Sequence, residues 1–404
     1  MLTMSTLSLT SIRPAQLFTA SGSRAKWLLA GVLSLTFGCS SQVMAQKGQT
    51  MTTTPSATIS AYGVLSDATP VKQVTLKNSN NIEIDVISYG GIITRMSVPD
   101  AKGQSGNIVY GFDSLSDYET KNPYFGALIG RYGNRIKDAK FSLFGTEYQL
   151  ATNDGDNHLH GGVQGFDKKV WSMEPFATKT SAGVKLTLVS PDGDQGYPGE
   201  LITVVTYTLT DDNTLDMQFI ATTDAPTIVN LTQHTYFNLA GKGDILDHEL
   251  TINSAAITPV DSGLIPTGEL MPVAGTAFDF TSAKAIGKDI GDSHKQLALG
   301  KGYDHNYVLK DQPDNTLIEA ASVYDPASGR VLRVLTEEPA VQFYSGNFLD
   351  GSTSGMGQQH IFRGAFCLEP QHYPDSPNQP AFPSTTLLPG DVYSTRIVYA
   401  FDTK

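Results

Sequence analysis

From about residue 59 to the C-terminus, apolar residues recur at every second position in short runs broken by turn residues. A period of two places one side-chain set on a buried face and the other outside, which is the signature of strands rather than helices. Val74 and Leu76 alternate with polar neighbours, residues 78–81 (Asn-Ser-Asn-Asn) interrupt, and Ile82, Ile84 and Val86 resume the alternation, so this stretch reads as a hairpin. Phe141/Leu143 and Tyr148/Leu150 around Gly145-Thr146 read as another. Further runs are Val184–Val189, Val205–Leu209 and Leu215–Phe219, and Val331–Leu335 and Val341–Phe343 flank Glu337-Glu338-Pro339. Helical signals are weak, with one or two turns at Ser114–Thr120. With 38 Gly and 21 Pro and no repeat of 20–50 residues, the chain is expected to be all-β, a large antiparallel sandwich or barrel.

The N-terminal 45 residues break this pattern. They contain no Asp or Glu and only Arg13, Arg24 and Lys26 as basic residues, followed by an apolar stretch, Trp27–Phe37. That stretch is short for a membrane span and suits the core of a signal peptide, with Val43-Met44-Ala45 as a small-residue cleavage site. A second reading is a lipoprotein signal, in which Cys39 is acylated and anchors the chain to a membrane; a third is a misassigned start. Residues 46–58 are polar and Thr-rich and read as a linker, leaving 59–404 as one β domain. The expectation is an exported protein, periplasmic, or anchored in the outer membrane through Cys39. Cleavage after Ala45 leaves 25 basic against 40 acidic residues, a charge of −15, and Cys367 as the single cysteine. That excludes an internal disulfide and argues against a nucleic-acid partner.

Several polar stretches stand out. Residues 230–239, read as a strand, put Asn230, Thr232, His234, Tyr236 and Asn238 on one face. An ordinary outer face is solvated, but Asn, His and Tyr also suit a polyhydroxylated ligand. In residues 364–370, Ala365, Cys367 and Glu369 share a face, so Glu369 is either a charge at a strand end or a carboxylate with space before it. His158 and His160 in Asn157–Gly162 would share a strand face, which invites a metal, but no third His has a convincing spacing. Arg131 and Arg135 lie in a Gly-rich turn, as surface charges or as forks for hydroxyls or a carboxylate. Asp304, in Gly302–Tyr307, is an Asx-turn residue or an acceptor for hydroxyl protons.

Taken together these segments resemble the aldose 1-epimerase (galactose mutarotase) family. The matching stretches are GRYGNRI (130–136), HLHGG (158–162), GFDKKVW (165–171), SPDGDQGYPGEL (190–201), NLTQHTYFNLAG (230–241), TPVDSGLIPTGEL (258–270), GYDHNY (302–307), VQFYSGNFLDG (341–351) and FCLEPQHYPDS (366–376). The resemblance implies a large antiparallel β-sandwich with a sugar cleft and interconversion of the anomers of free aldoses. It implies Glu369 as general base, His234 as general acid and His160 as a helper near the ring oxygen. Asn134, Arg135, Asp304 and Gln342 would hold hydroxyls or orient the acid–base pair, with Tyr236 as a further wall. Gly133 and Gln233 depart from the family's usual residues. No metal or other cofactor is required by this chemistry, and the partner is a monosaccharide bound by a monomer or homodimer. Rival readings are a sugar-binding module without turnover, a glycosidase using Asp304 and Glu369, an epimerase of phosphorylated sugars and a metal-dependent enzyme.

Overall fold

The structure is a computed structural model that describes residues 54–310 and 316–404. The leader with Cys39, and the linker up to residue 53, lie outside the described residues. The first strand, Ser56–Val64, begins inside the segment read as a linker, because Ser56–Thr58 pair with Thr75–Lys77. The domain therefore starts a few residues earlier than the sequence suggests.

Two large antiparallel layers carry the fold. The nine-stranded sheet runs from Ser172–Ala177 through Ser181–Ser190, Leu201–Thr210 and Thr214–Thr223 to Tyr393–Thr403, Arg330–Thr336, Ile318–Tyr324 and beyond. In its register Leu186, Val205 and Phe219 stand side by side, as do Val184, Tyr207, Met217 and Ile397. These alternate inward residues are buried, while Val189, Ile202 and Ile220 face out. The period-two pattern is thus the imprint of one covered sheet face.

Two five-stranded sheets share that core. One comprises strands from Ser56–Val64 to Ser105–Asn107 and contributes Val74, Leu76, Ile84 and Val86. Both expected hairpins are present, Pro70–Lys77 with Glu83–Ile87 and Lys140–Leu143 with Thr146–Gln149. The other orders Met271–Pro272, Ser254–Thr258, Asp304–Leu309, Ala340–Tyr344 and Cys367–Gln371. Its Tyr307, Val341, Phe343 and Leu368 enter the core. The runs at 331–335 and 341–343, although adjacent in sequence, belong to different sheets, so Glu337-Glu338-Pro339 connects layers and is no hairpin turn. The short helix Leu115–Lys121 falls where the sequence suggests one or two turns, and Ser114 is its N-cap.

Residues 230–239 do not form one continuous strand. Only Thr232–His234 is a strand, paired with Ala127–Ile129, and Phe237 makes isolated bridges to Val109 and Phe366. Nor is either face solvated: all ten residues are buried, because the segment runs through the middle of the molecule. Leu231, Phe237 and Leu239 enter the core. Asn230 and Asn238 are spent on backbone carbonyls, Asn230 on Gly133 and His372, Asn238 on Gly364. Only His234 and Tyr236 of that face line the cavity described next.

Candidate active site

The site grows from one face of the second five-stranded sheet. Gln342 stands directly opposite Glu369 on the neighbouring strand and opposite Asn306 on the other side, and Asp304 is opposite Tyr344. Register alone therefore puts Asp304, Gln342 and Glu369 on one face. Gln342 Nε2 donates to Asp304 Oδ1 at 2.7 Å. Both carboxylates are buried, so neither the strand-end nor the Asx-turn reading holds. Pro370 does not end the strand but lies within it, opposite Val341.

His234 arrives from the strand that packs beside Cys367–Gln371, and its Nε2 lies 3.4 Å from Glu369 Oε2. His160 arrives from the turn after His158–Leu159. That turn presses on the backbone at Gly130, where a Cβ on Gly161 would come within 1.8 Å of the Gly130 oxygen, so only glycine fits. His160 Nδ1 accepts the Asn134 backbone N–H at 3.1 Å, and the His160 backbone N–H donates to Asn134 O. Nδ1 is thus an acceptor, and the neutral ring carries its proton on Nε2. Arg135 is fixed by its Nε donating to Asp154 Oδ2 at 2.8 Å.

These side chains line one cavity of about 160 Å³. All eight residues singled out in the sequence reach it: Glu369, His234 and His160, together with Asn134, Arg135, Asp304, Gln342 and Tyr236. The Tyr236 hydroxyl donates to Pro123 O at 3.1 Å, so this residue offers its ring and not its hydroxyl. The sequence reading missed Tyr124, Tyr344 and Phe348, which also line the cavity. Tyr124 follows Asn-Pro, a turn signal that says nothing about where its ring goes.

Other candidates have structural work. His158 donates from Nδ1 to Ala151 O and accepts from the Tyr197 hydroxyl, both at 2.6 Å. Arg131 is buried and clamps Ser190, Pro191 and Pro198, so it is neither a surface charge nor a ligand group.

Burial sets the electrostatics. It pushes the Glu369 carboxyl well above its ordinary range; Asp304 adds to the rise and Arg135 opposes it. Asp304 is raised by burial too, against Arg135 and the Gln342 hydrogen bond. Burial lowers His234 to about 3. It also lowers His160 well below the imidazole range, with the His234 charge as the next cause. Glu369 Oε2 and His234 Nδ1 are buried without a hydrogen bond among the described residues, which leaves the Glu369 oxygen to a ligand.

Donor atoms of His160, His234 and Glu369 lie within 4.8 Å of one another, a spacing a divalent cation might be thought to fill. The donor set does not fit. A ligating His donates its other ring N–H to an acceptor, whereas His160 Nδ1 faces the Asn134 N–H, which leaves Nε2 protonated and unable to bind a metal.

The family model for aldose 1-epimerase matches residues 72–400. The chain belongs to the aldose 1-epimerase family. Galactose mutarotase from Sus scrofa is 45% identical over 350 residues, covering 86% of this chain and 98% of the relative. Aldose 1-epimerase from Escherichia coli (strain K12) is 38% identical over 338 residues, covering 83% and 96%. Among solved structures, a galactose 1-epimerase from Lactobacillus acidophilus superimposes with a TM-score of 0.76 at 30% identity, covering 86% of this chain and 99% of that one. An aldose epimerase homologue from C. elegans gives 0.74 at 28%, with the same coverage. The sandwich of this family member is therefore the mutarotase-like one, with its cavity on the face built by Asp304, Gln342 and Glu369.

Proposed function

We propose that this enzyme interconverts the α and β anomers of free aldoses, with Glu369 as general base and His234 as general acid. The observation that carries the roles is the buried carboxylate–imidazole pair, 3.4 Å apart, with unpartnered atoms on both groups. Family membership supports the reaction, and the names of the relatives support galactose as a substrate; glucose is proposed beside it as a second free aldose.

Anomerisation removes the proton of the C1 hydroxyl and delivers one to the ring oxygen. The C1–O5 bond breaks, an aldehyde forms, the C1–C2 bond rotates, and the ring closes on the other face. Glu369 takes the O1 proton while His234 gives its proton to O5, and closure reverses both transfers. The pair thus holds one proton overall, and opening and closing differ only in where it sits. His160, with Nε2–H toward the cavity, donates near the ring oxygen without changing charge. Asn134, Arg135, Asp304 and Gln342 hold sugar hydroxyls, and Tyr236 supplies a wall. No step needs a metal or a redox group.

The site contains a base matched to an acid, which binding without turnover does not require. The acid-free leader and the Val43-Met44-Ala45 site support export to the periplasm, with Cys39 acylation as the route to an outer-membrane anchor. No helix among the described residues is long and apolar enough to cross a membrane.

The test is polarimetry of freshly dissolved α-galactose and α-glucose, with and without chelator, beside a chromogenic glycoside. Chelator-resistant acceleration of the rotation change with the glycoside intact is expected. A folded protein that accelerates no free aldose would overturn the proposal.

A further inference from the structure

His234 must carry a proton to act as an acid, yet it is only 4% exposed, and burial favours the neutral ring. What faces it is therefore decisive. Glu369 lies on one edge, and the His160 ring meets it edge-on at 5.1 Å. Two phenol rings lie nearly parallel to it, Tyr236 at 5.0 Å and 13° and Tyr124 at 5.8 Å and 20°. Beyond Tyr124, Lys168 Nζ stands 5.5 Å from that ring, and Arg135 shares the cavity.

Tyr124 is held there at a conformational cost. Its φ is +71°, a region bulky residues rarely adopt. The turn that imposes it is fastened to the His234 segment: the Tyr236 hydroxyl donates to Pro123 O, and Gln233 Nε2 donates to Gly126 O at 2.7 Å. Asn122 Oδ1 accepts the Phe125 N–H at 2.8 Å. Gln233, which departs from the family's usual residue, thus braces the turn. The Tyr124 hydroxyl makes no hydrogen bond among the described residues, so its ring, not its hydroxyl, accounts for the placement.

We infer that Tyr124 is a positioning residue for the acid: with Tyr236 it flanks the His234 ring and, through its π face, favours the imidazolium of this buried ring. A ring face within about 6 Å attracts a cation, most strongly where the cation is desolvated. The inference rests on the acid role proposed for His234, and the two are separable by experiment.

The His234 side-chain nitrogen resonances are followed by NMR from pH 2 to 9, a range that includes the value of about 3 to which burial lowers the ring, in the free wild type and in Tyr124→Phe, Tyr124→Leu and Tyr124→Met. The kcat/KM profile for galactose is measured in parallel, with circular dichroism to verify folding. In the Leu and Met variants the imidazolium should be lost at a pH lower by about 0.5 unit or more, and the alkaline limb should move with it. The Phe variant, which keeps the ring, should titrate like wild type. Met approximates the length of the lost side chain, so it reads the effect if Leu disturbs the fold. Unchanged titration in Leu and Met, a Phe variant that behaves like Leu, or a wild-type ring neutral throughout would overturn the inference. A titration that moves while the alkaline limb stays would uphold the ring effect and remove His234 as the acid.

Discussion

Glu369 Oε2 lies 3.4 Å from His234 Nε2 inside the protein, and no other group among the described residues bonds that oxygen. A buried carboxyl left so is unfavourable unless a ligand completes it. Replacing Glu369 by Gln keeps the shape and removes the base. The kcat for mutarotation should fall at least about 100-fold. Near-normal turnover in a polarimeter would remove Glu369 as the base.

Asp154 fixes Arg135, and Arg135 in turn holds down the proton affinities of Glu369 and Asp304. In Asp154→Asn the guanidinium loses its anchor, so the Glu369 carboxyl rises and the base becomes protonated at higher pH, whereas for Asp304 the loss of the Asp154 charge, which raises it, offsets the weakened Arg135. The acidic limb of kcat/KM should shift upward. Because Asp154 is 34% exposed and screened, the loss in kcat/KM near neutrality should be modest, about fivefold. An unmoved acidic limb would show that Arg135 is held without it.

Gln342 sits opposite Glu369 and donates to Asp304. Gln342→Glu turns this donor into a third carboxyl beside two others. Like charge disfavours ionisation, so the Glu369 proton should be held more tightly and kcat below neutrality should fall more steeply than in wild type. Parallel pH–rate curves for the two proteins would contradict this reading.

Behind the site, His372 Nδ1 meets Glu338 Oε2 at 2.6 Å. Burial opposes the charge on His372, but Glu338 outweighs it and raises the imidazole above 6.5. Burial also opposes the charge on Glu338, and His372 outweighs it, lowering the carboxyl below 4.5. The His372 contribution to stability is complete below its unfolded pKa and is lost as pH rises through its raised folded value. The Glu338 contribution is complete above its unfolded pKa and is lost as pH falls through its lowered folded value. Both are present between about 4.5 and 6.5. Urea midpoints should decline above that window in wild type, whereas Glu338→Gln should be less stable within it by about 3 kcal/mol and lose the alkaline decline. Equal midpoints for the two proteins at pH 6 would show that the pair is not stabilising.

The hydrogen bond from Asn134 to His160 Nδ1 also makes a prediction about metals. Activity should survive prolonged dialysis against chelator, and added zinc should not raise it. Restoration of a lost activity by a metal would mean that the His160 tautomer is the opposite one.

Strand periodicity made the fold class legible because strands such as Leu201–Thr210 and Thr214–Thr223 of the nine-stranded sheet bury one face and leave the other partly exposed. The same reasoning failed for residues 230–239, where both faces are buried and polarity ceases to mark the outside. Motif resemblance reached every cavity residue assigned from sequence. It did not reach Tyr124 or Phe348, since an aromatic residue in a turn carries no sign of which way its ring points, nor Tyr344, which shares the Gln342 face at the end of its strand. Alternation could not separate His158 from His160, two residues apart, one bound to Ala151 and Tyr197 and the other open to the cavity, whereas the resemblance singled out His160.

By itself, then, the sequence determined the all-β class, the family and the residue types able to exchange protons with a sugar. Those follow from local alternation and from motifs, which are written along the chain. Tertiary structure alone decided which polar groups meet: Glu369 with His234, Arg135 with Asp154, Tyr124 against an imidazole. These partners come from segments 19 to 135 residues apart, and strand register and loop packing bring them together. Proton affinities follow from that assembly, because burial and neighbouring charge exist only once the layers have closed.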